Sequence, residues 1–365
     1  MKRSAQGGLA FGIYPGSAMG DVGEAGPPDR PGRINGALGQ LQGQPGRPFI
    51  VRAYHVYADP GGTVYASLPQ APADYDRYLG QGRVLDLVVQ YHSRSGDIDG
   101  YCAFIEKLID RHGEHLATLQ IGEEANITGN PILDGAYPRV AEALIAGIRT
   151  AKDKARRSGY PGLSIGCNSS PLFGPGATFF TDLTRAGGGQ FVADLDYIGL
   201  DFFPDVFRPI APASLDGAVQ ALLEAHRRDR LAPAGLGHLP LIITEHGWPT
   251  GPGRPAGRQA EVLTAVIDVI SRNAQALNIT GYIHHTLRDA RSAGSGLFDQ
   301  FGLMTDDYTP KPAFHAYRDL IDAHYLPGEM NQTGVGGPAE HHHRPSTSAR
   351  NACVAPNERA SATGS

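Results

Sequence analysis

The chain contains few cysteines, a single tryptophan and no long apolar run. Its three cysteines, Cys102, Cys167 and Cys353, lie far apart without Cys-x-x-Cys spacing, so neither a zinc site nor a disulfide framework is indicated. A membrane-spanning helix needs about 20 consecutive apolar residues, and no segment approaches that length. No apolar stretch follows the basic residues at the amino terminus, so we expect a cytoplasmic protein without a signal peptide.

The chain also lacks an excess of charge of one sign. Its net charge is −5, without a basic stripe or a run of like charges, so nucleic acid and anionic membranes are poor candidates for partners. Hydrophobic residues make up 41% of the chain and charged residues 19%, which permits a large core and argues against global disorder. A length of 365 residues suits one α/β barrel.

Eight apolar segments with strand character alternate with segments of helical periodicity. Most of the eight are continuous apolar runs, which is typical of parallel strands buried on both faces. The predicted strands are Leu9–Tyr14, Phe49–Tyr54, Val84–Tyr91, Ala117–Gly122, Leu163–Asn168, Tyr197–Phe202, Leu241–Thr244 and Ile279–His284. The helical segments between them carry apolar stripes, such as Val262, Leu263, Val266, Ile267 and Ile270.

This alternation predicts a single (β/α)8 TIM barrel over residues 8–326. A doubly wound open sheet is the alternative, but Phe11–Ser17 after the first strand is not a Gly-rich phosphate loop. The last helix should span about Pro312–His324. Beyond it, residues 327–365 are rich in Gly, Pro, Ser and Thr and include the triplet His341–His343, so we expect a disordered tail.

Polar and aromatic residues follow nearly every predicted strand. In a barrel of this kind the carboxyl ends of the strands meet at one rim, where active sites lie. Two of these ends carry glutamates, Glu123 and Glu124 after the fourth strand and Glu245 after the seventh. Two carboxyl groups at one rim can cleave a glycosidic bond, one as nucleophile and one as acid/base.

Two of these segments resemble a known clan of enzymes. The segment Ile243-Thr-Glu-His-Gly-Trp-Pro-Thr250 resembles the nucleophile segment of the clan A glycoside hydrolases, notably the family 17 β-1,3-glucanases. The segment Ile121-Gly-Glu-Glu-Ala-Asn126 is similar to the fourth-strand segment of that clan, in which Asn precedes the acid/base Glu. The resemblance implies a retaining O-glycoside hydrolase acting on a β-linked oligosaccharide or small glycoside. In that enzyme Glu245 is the nucleophile and Glu124 the acid/base.

The resemblance and the polar rim together predict a set of substrate-binding residues. Arg52 resembles the second-strand Arg that supports the nucleophile in the clan, whereas Glu123 stands where the clan usually has Asn. His285 lies where the clan often has Trp, so we expect the sugar to stack on Tyr, Phe or His. The predicted contacts are Arg52, Tyr54, His92, Glu123, Asn168, Asp201, Trp248 and His285.

Two other functions remain open. Glu123 in place of Asn also fits a catalytically weak or inactive carbohydrate-binding barrel. A metal-dependent hydrolase could use His55, His92, His284 and His285, but these residues lack His-x-x-x-His spacing, so we predict neither metal nor cofactor. The sugar, its linkage, exo or endo action and the oligomeric state are not determined by the sequence.

Overall fold

A computed structural model of the chain describes residues 8–17, 26–59 and 70–324. The tail predicted at 327–365, with Cys353 and the histidine triplet, lies outside these ranges. No helix among the described residues is long and apolar enough to cross a membrane.

Eight parallel strands form a closed barrel. Each strand pairs with the next, and β1 pairs with both β2 and β8, which closes the ring. The strands are β1 (Ala10–Ile13), β2 (Phe49–Ala58), β3 (Arg83–His92), β4 (Leu116–Ile121), β5 (Ser164–Ser169), β6 (Tyr197–Asp201), β7 (Leu241–His246) and β8 (Ile279–His284). The predicted barrel is therefore confirmed, and β8 has the predicted bounds.

Strand β2 is longer than predicted. It runs on to Ala58 because its pairing with β3 continues to His92, although His55 interrupts the apolar run. A two-residue antiparallel strand, Gln70–Ala71, adds to β2 outside the ring and pairs with Tyr54 and His55. These tertiary hydrogen bonds extend the strand beyond its apolar run.

Seven α-helices surround the barrel in the described part of the chain. They are α1 (Pro31–Gln42), α2 (Ile98–His112), α3 (Val140–Arg157), α4 (Phe179–Asp194), α5 (Leu215–Ala225), α6 (Ala256–Asn273) and α7 (Pro312–His324). Between β2 and β3 the described residues include a 3-10 turn, Tyr75–Tyr78, and no α-helix. A local signal explains the start of one helix: Asp97 caps α2 by accepting a hydrogen bond from the Gly100 amide at 2.9 Å.

The interior of the barrel changes from apolar to polar along β2. Side chains at alternate positions of a strand share a face. Ile50 packs with Tyr197, Ile242 and Ile283 in an apolar cluster. Two residues further along the chain Arg52 is also buried, and two further again Tyr54 packs against Tyr14. The polar layer therefore lies on the side of the barrel where the strands end.

Candidate active site

Arg52 is the central cation of this polar layer. Its guanidinium donates hydrogen bonds to Asp86 Oδ2 at 2.6 Å, Gln120 Oε1 at 3.1 Å and the Tyr54 hydroxyl at 2.7 Å. Burial by itself lowers the pKa of Arg52, but the surrounding acidic groups outweigh it and raise the pKa well above its ordinary value. Arg52 is thus a permanent positive charge beneath the mouth of the barrel.

Glu245 lies at the end of β7 above this cation. Its Oε1 accepts a hydrogen bond from the Tyr54 hydroxyl and lies 3.9 Å from Arg52 Nε and 3.6 Å from His285 Nδ1. The side chain is 12% exposed. The hydrogen bond from Tyr54 and the charge of Arg52 both act on Oε1, so they hold this carboxylate in place.

The two glutamates after β4 have different surroundings because the backbone turns sharply there. Gly122 and Glu124 both have positive φ, +81° and +43°. Asp134 Oδ2 accepts a hydrogen bond from the Glu123 amide at 2.9 Å. Glu123 is only 5% exposed. Glu124 is half-buried, and its amide donates to Asn168 Oδ1 at 2.9 Å. The turn thus buries the first glutamate and leaves the second more accessible.

Glu123 belongs to a cluster of three carboxyl groups. One oxygen each of Glu123, Asp201 and Glu245 lies within 4.8 Å of the others. Glu123 accepts hydrogen bonds from Gln120 Nε2 at 2.6 Å and Asn168 Nδ2 at 3.2 Å, and Arg52 Nη2 lies 3.4 Å away. Asn168 also donates to Asp201 at 2.6 Å, so one amide links two of the three carboxyl groups.

The crowding of carboxyl groups changes their protonation. Burial raises the pKa of Glu123 to about 7, the charge of Glu245 adds to this, and Arg52 opposes it. Burial, followed by the charges of Glu123 and Glu245, raises the pKa of Glu124 well above its ordinary value. Burial and the charges of Glu123 and Glu245 likewise raise the pKa of Asp201 well above its ordinary value. Glu124 and Asp201 are therefore biased toward the neutral acid, which can donate a proton.

Aromatic rings surround His285, the histidine beside Glu245. The imidazole of His285 stacks on Tyr14, with ring centroids 5.6 Å apart and an angle of 11°. Phe203 meets the same imidazole edge-on at 6.2 Å. Burial lowers the pKa of His285, and Glu245 partly opposes this by favouring the charged form. His285 thus carries both a polar contact to Glu245 and an apolar face.

Two of the predicted sugar contacts have other partners. Trp248 is 5% exposed, donates its indole N–H to the Asp205 carbonyl at 3.2 Å, and lies under the Arg254 guanidinium. His92 is buried, with its ring stacked on Tyr137 at 4.6 Å. Sugar binding by these two residues stays a prediction.

Several residues of the site were not identified from the sequence. Asp86 and Gln120 hold Arg52, Thr244 donates to Asp201 at 2.7 Å, and Asp134 fixes the turn after β4. Asp86 and Gln120 interrupt apolar strands, and a polar residue buried in such a strand signals a specific partner. That signal was present in the sequence, but it does not identify the partner.

The rim histidines do not assemble into a metal site. His55 lies 3.0 Å from the Tyr75 hydroxyl, whereas His284 contacts Tyr282 at 3.3 Å. Over the described ranges, the carboxylate trio is the single group of three or more His, Cys, Asp or Glu close enough to hold a metal ion. Arg52 already supplies a positive charge to this trio, which disfavours a divalent cation beside it.

No family model matches the chain, and no curated protein matches it in sequence. Solved structures do share its fold. A family 39 glycoside hydrolase from Bacteroides cellulosilyticus WH2 is 14% identical, with a TM-score of 0.56 over 87% of this chain and 64% of that one. A Penicillium canescens endo-1,4-β-xylanase is 14% identical, with a TM-score of 0.53 over 87% and 95% of the two chains. A β-glucosidase is 15% identical, with a TM-score of 0.54 over 80% and 88%.

This chain spans less than two thirds of the length of the Bacteroides protein. At identities of 14–15% the likeness shows a shared fold. The special likeness to family 17 is not shown by these neighbours and stays a prediction. The chain is therefore a (β/α)8 barrel whose fold is shared with glycoside hydrolases.

Proposed function

We propose that this protein is a retaining O-glycoside hydrolase that acts on a β-linked oligosaccharide or small glycoside. One observation carries the proposal: the Glu245 carboxylate, held by Tyr54 and near Arg52, shares the mouth of the barrel with Glu124, a carboxyl group biased toward its protonated form. Double displacement needs this pairing of an ionised nucleophile with a protonated acid.

In the first step Glu245 attacks the anomeric carbon while the glycosidic bond breaks, and Glu124 gives its proton to the leaving oxygen. The new ester bond removes the negative charge of Glu245. That charge is one of the causes that raise the pKa of Glu124, so the pKa of Glu124 falls once the ester has formed. Glu124 is then suited to take a proton from the water that hydrolyses the ester.

Glu123 is assigned a substrate-positioning role. Its carboxylate accepts hydrogen bonds and, when ionised, cannot donate one. It lies beside Glu245 and is fixed by Gln120 and Asn168. It would therefore accept a hydrogen bond from a sugar hydroxyl next to the reacting carbon.

The fold neighbours support this reaction class, since the three described above are glycoside hydrolases. Two of them, a β-xylanase and a β-glucosidase, are named for β-linked substrates. A screen of β-glucosides, β-galactosides, β-mannosides and β-xylosides would identify the sugar.

Trapping the covalent intermediate tests the proposal directly. A 2-deoxy-2-fluoro-β-glycoside with a good leaving group should add one sugar mass to the wild type, on the peptide that contains Glu245. Glu245→Gln should not be labelled, whereas Glu261→Gln, which changes an exposed carboxylate on α6, should be labelled like the wild type. Product analysis by NMR should show retained anomeric configuration. Inverted product, or labelling at another residue, would contradict the mechanism.

A binding barrel without catalysis is the second candidate, and the burial of Glu123 beside Glu245 favours it. An ionised carboxylate at this position cannot donate the hydrogen bond that Asn would give to a sugar hydroxyl next to the reacting carbon, so the transition state would be less stabilised. Calorimetry with an oligosaccharide panel, run beside the activity screen, separates the two functions. Tight binding by the wild type without turnover of any glycoside would support the binding barrel.

A further inference from the structure

Two phenylalanines are exposed in the loops at the mouth of the barrel. Phe173 follows β5 and is 54% exposed, and Phe207 follows β6 and is 61% exposed; they are the exposed large hydrophobic residues of the described ranges. Loops that follow the strands lie on the same side of the barrel as Glu245. Single exposed apolar residues are normal, so the neighbours of each phenylalanine decide whether it belongs to a binding site.

Phe207 is connected to Glu245 by a continuous series of rings. Its ring centroid lies 6.2 Å from that of Phe203 and 6.5 Å from that of Phe298. Phe203 in turn contacts His285, whose Nδ1 lies 3.6 Å from Glu245 Oε1. We refer to Phe203, Phe207 and Phe298 as the phenyl wall.

The phenyl wall is supported from behind. Phe301 is buried and stacks on Phe298, with centroids 5.6 Å apart and an angle of 18°. It also meets Phe203 edge-on at 5.9 Å. The wall is therefore packed against the core, which lowers the entropy lost when a ligand binds to it.

Exposure increases and polarity decreases from Glu245 outward to the phenyl wall. The side chains of Glu245 and His285 are 12% and 13% exposed. Phe203 is half-buried, and Phe207 is exposed to solvent. A sugar placed at Glu245 thus has polar partners, and the group attached to it extends outward over phenyl rings. A second sugar could stack a C–H face on these rings, but its hydroxyls would find no hydrogen-bond partner on the three phenyl side chains, whereas a flat apolar group needs none.

We infer that the phenyl wall is an aglycone subsite that binds a flat aromatic aglycone. This inference rests on the proposed function, because it takes Glu245 as the position of the anomeric carbon. The substrate class is then an aryl β-glycoside rather than a polysaccharide.

Binding to the non-hydrolysing Glu245→Gln variant tests the subsite without the effect of leaving-group reactivity. The probes are phenyl and methyl pairs of β-D-glucoside, β-D-galactoside, β-D-mannoside and β-D-xyloside, measured by calorimetry. The phenyl member of the preferred sugar should bind about tenfold more tightly than the methyl member, as one added aromatic contact provides. Adding Phe207→Ala should remove most of this preference, because it weakens binding of the phenyl glycoside more than binding of the methyl glycoside.

Phe173→Ala is the matched control. Phe173 has similar exposure and lies under the Arg208 guanidinium at 5.8 Å, and we expect the variant to keep the phenyl preference. Three results would overturn the subsite. They are equal affinities for the phenyl and methyl glycosides, tighter binding of a disaccharide of the same sugar, and equal losses of the phenyl preference in the two alanine variants. Wild-type turnover is measured separately. A phenyl preference without turnover would refute the proposed hydrolase activity and support the aglycone subsite. Turnover without a phenyl preference would support the hydrolase activity and refute the subsite.

Discussion

Replacing Glu123 with glutamine should make the stability of the protein less dependent on pH. Glu123 is buried beside Glu245, and burial together with that neighbouring charge disfavours its ionisation. Glutamine has nearly the same shape and does not titrate. The variant therefore removes one ionisation, together with a charge that helps to raise the pKa values of Glu124 and Asp201.

The expected size follows from the pKa of Glu123, which is raised from an ordinary value of 4.5 to about 7. Each tenfold change in proton affinity corresponds to about 1.4 kcal/mol, so the rise corresponds to about 3 kcal/mol. Because the folded state holds this proton more tightly than the unfolded state, the stabilisation is complete below pH 4.5 and is lost as the pH rises through 7. The free energy of unfolding of Glu123→Gln, minus that of the wild type, should therefore increase by about 3 kcal/mol between pH 4.5 and pH 8.

Urea denaturation at several pH values measures this difference. Glu261→Gln, an exposed carboxylate on α6, provides the control and should give a nearly constant difference from the wild type. Parallel curves for Glu123→Gln and the wild type would refute the reasoning, since they would mean that Glu123 ionises as easily in the folded state as in the unfolded state.

Two further predictions concern the site. Glu124→Ala should slow the hydrolysis of substrates with poor leaving groups most, and azide should restore turnover of activated aryl glycosides because a small anion replaces the water that has lost its base. A glycosyl azide of retained configuration formed by Glu245→Gln and not by Glu124→Ala would interchange the two roles. An active Glu124→Ala beside an inactive Glu123→Ala would move the acid/base role to Glu123. Arg52→Met should lower the free energy of unfolding by about 3–5 kcal/mol, because it leaves Asp86 and Glu123 buried without their cation. Arg272→Met, which breaks an exposed pair with Asp216, should cost at most about 1 kcal/mol in the same urea titration, and equal losses in the two variants would contradict the role of Arg52.

The elements of the fold could be predicted from the sequence because their signals are local. Buried parallel strands are continuous apolar runs and helices carry an apolar stripe, so β8 was predicted with the bounds that the structure has and α7 with its first residue. The closed barrel follows from the eightfold alternation of these signals. The position of Glu245 at a strand end was predicted in the same way.

The environment of each acidic group was decided by tertiary structure. The sequence places Glu123 and Glu124 side by side, but the turn at Gly122 and the hydrogen bond from the Glu123 amide to Asp134 determine which of them is buried. Likewise, no local pattern shows that Tyr54 donates to Glu245, 191 residues away in the chain. Partners from distant strands set the burial and the nearby charges, and these determine the proton affinity of a carboxyl group. The chemistry of the site therefore depends on contacts that exist only once the barrel has closed.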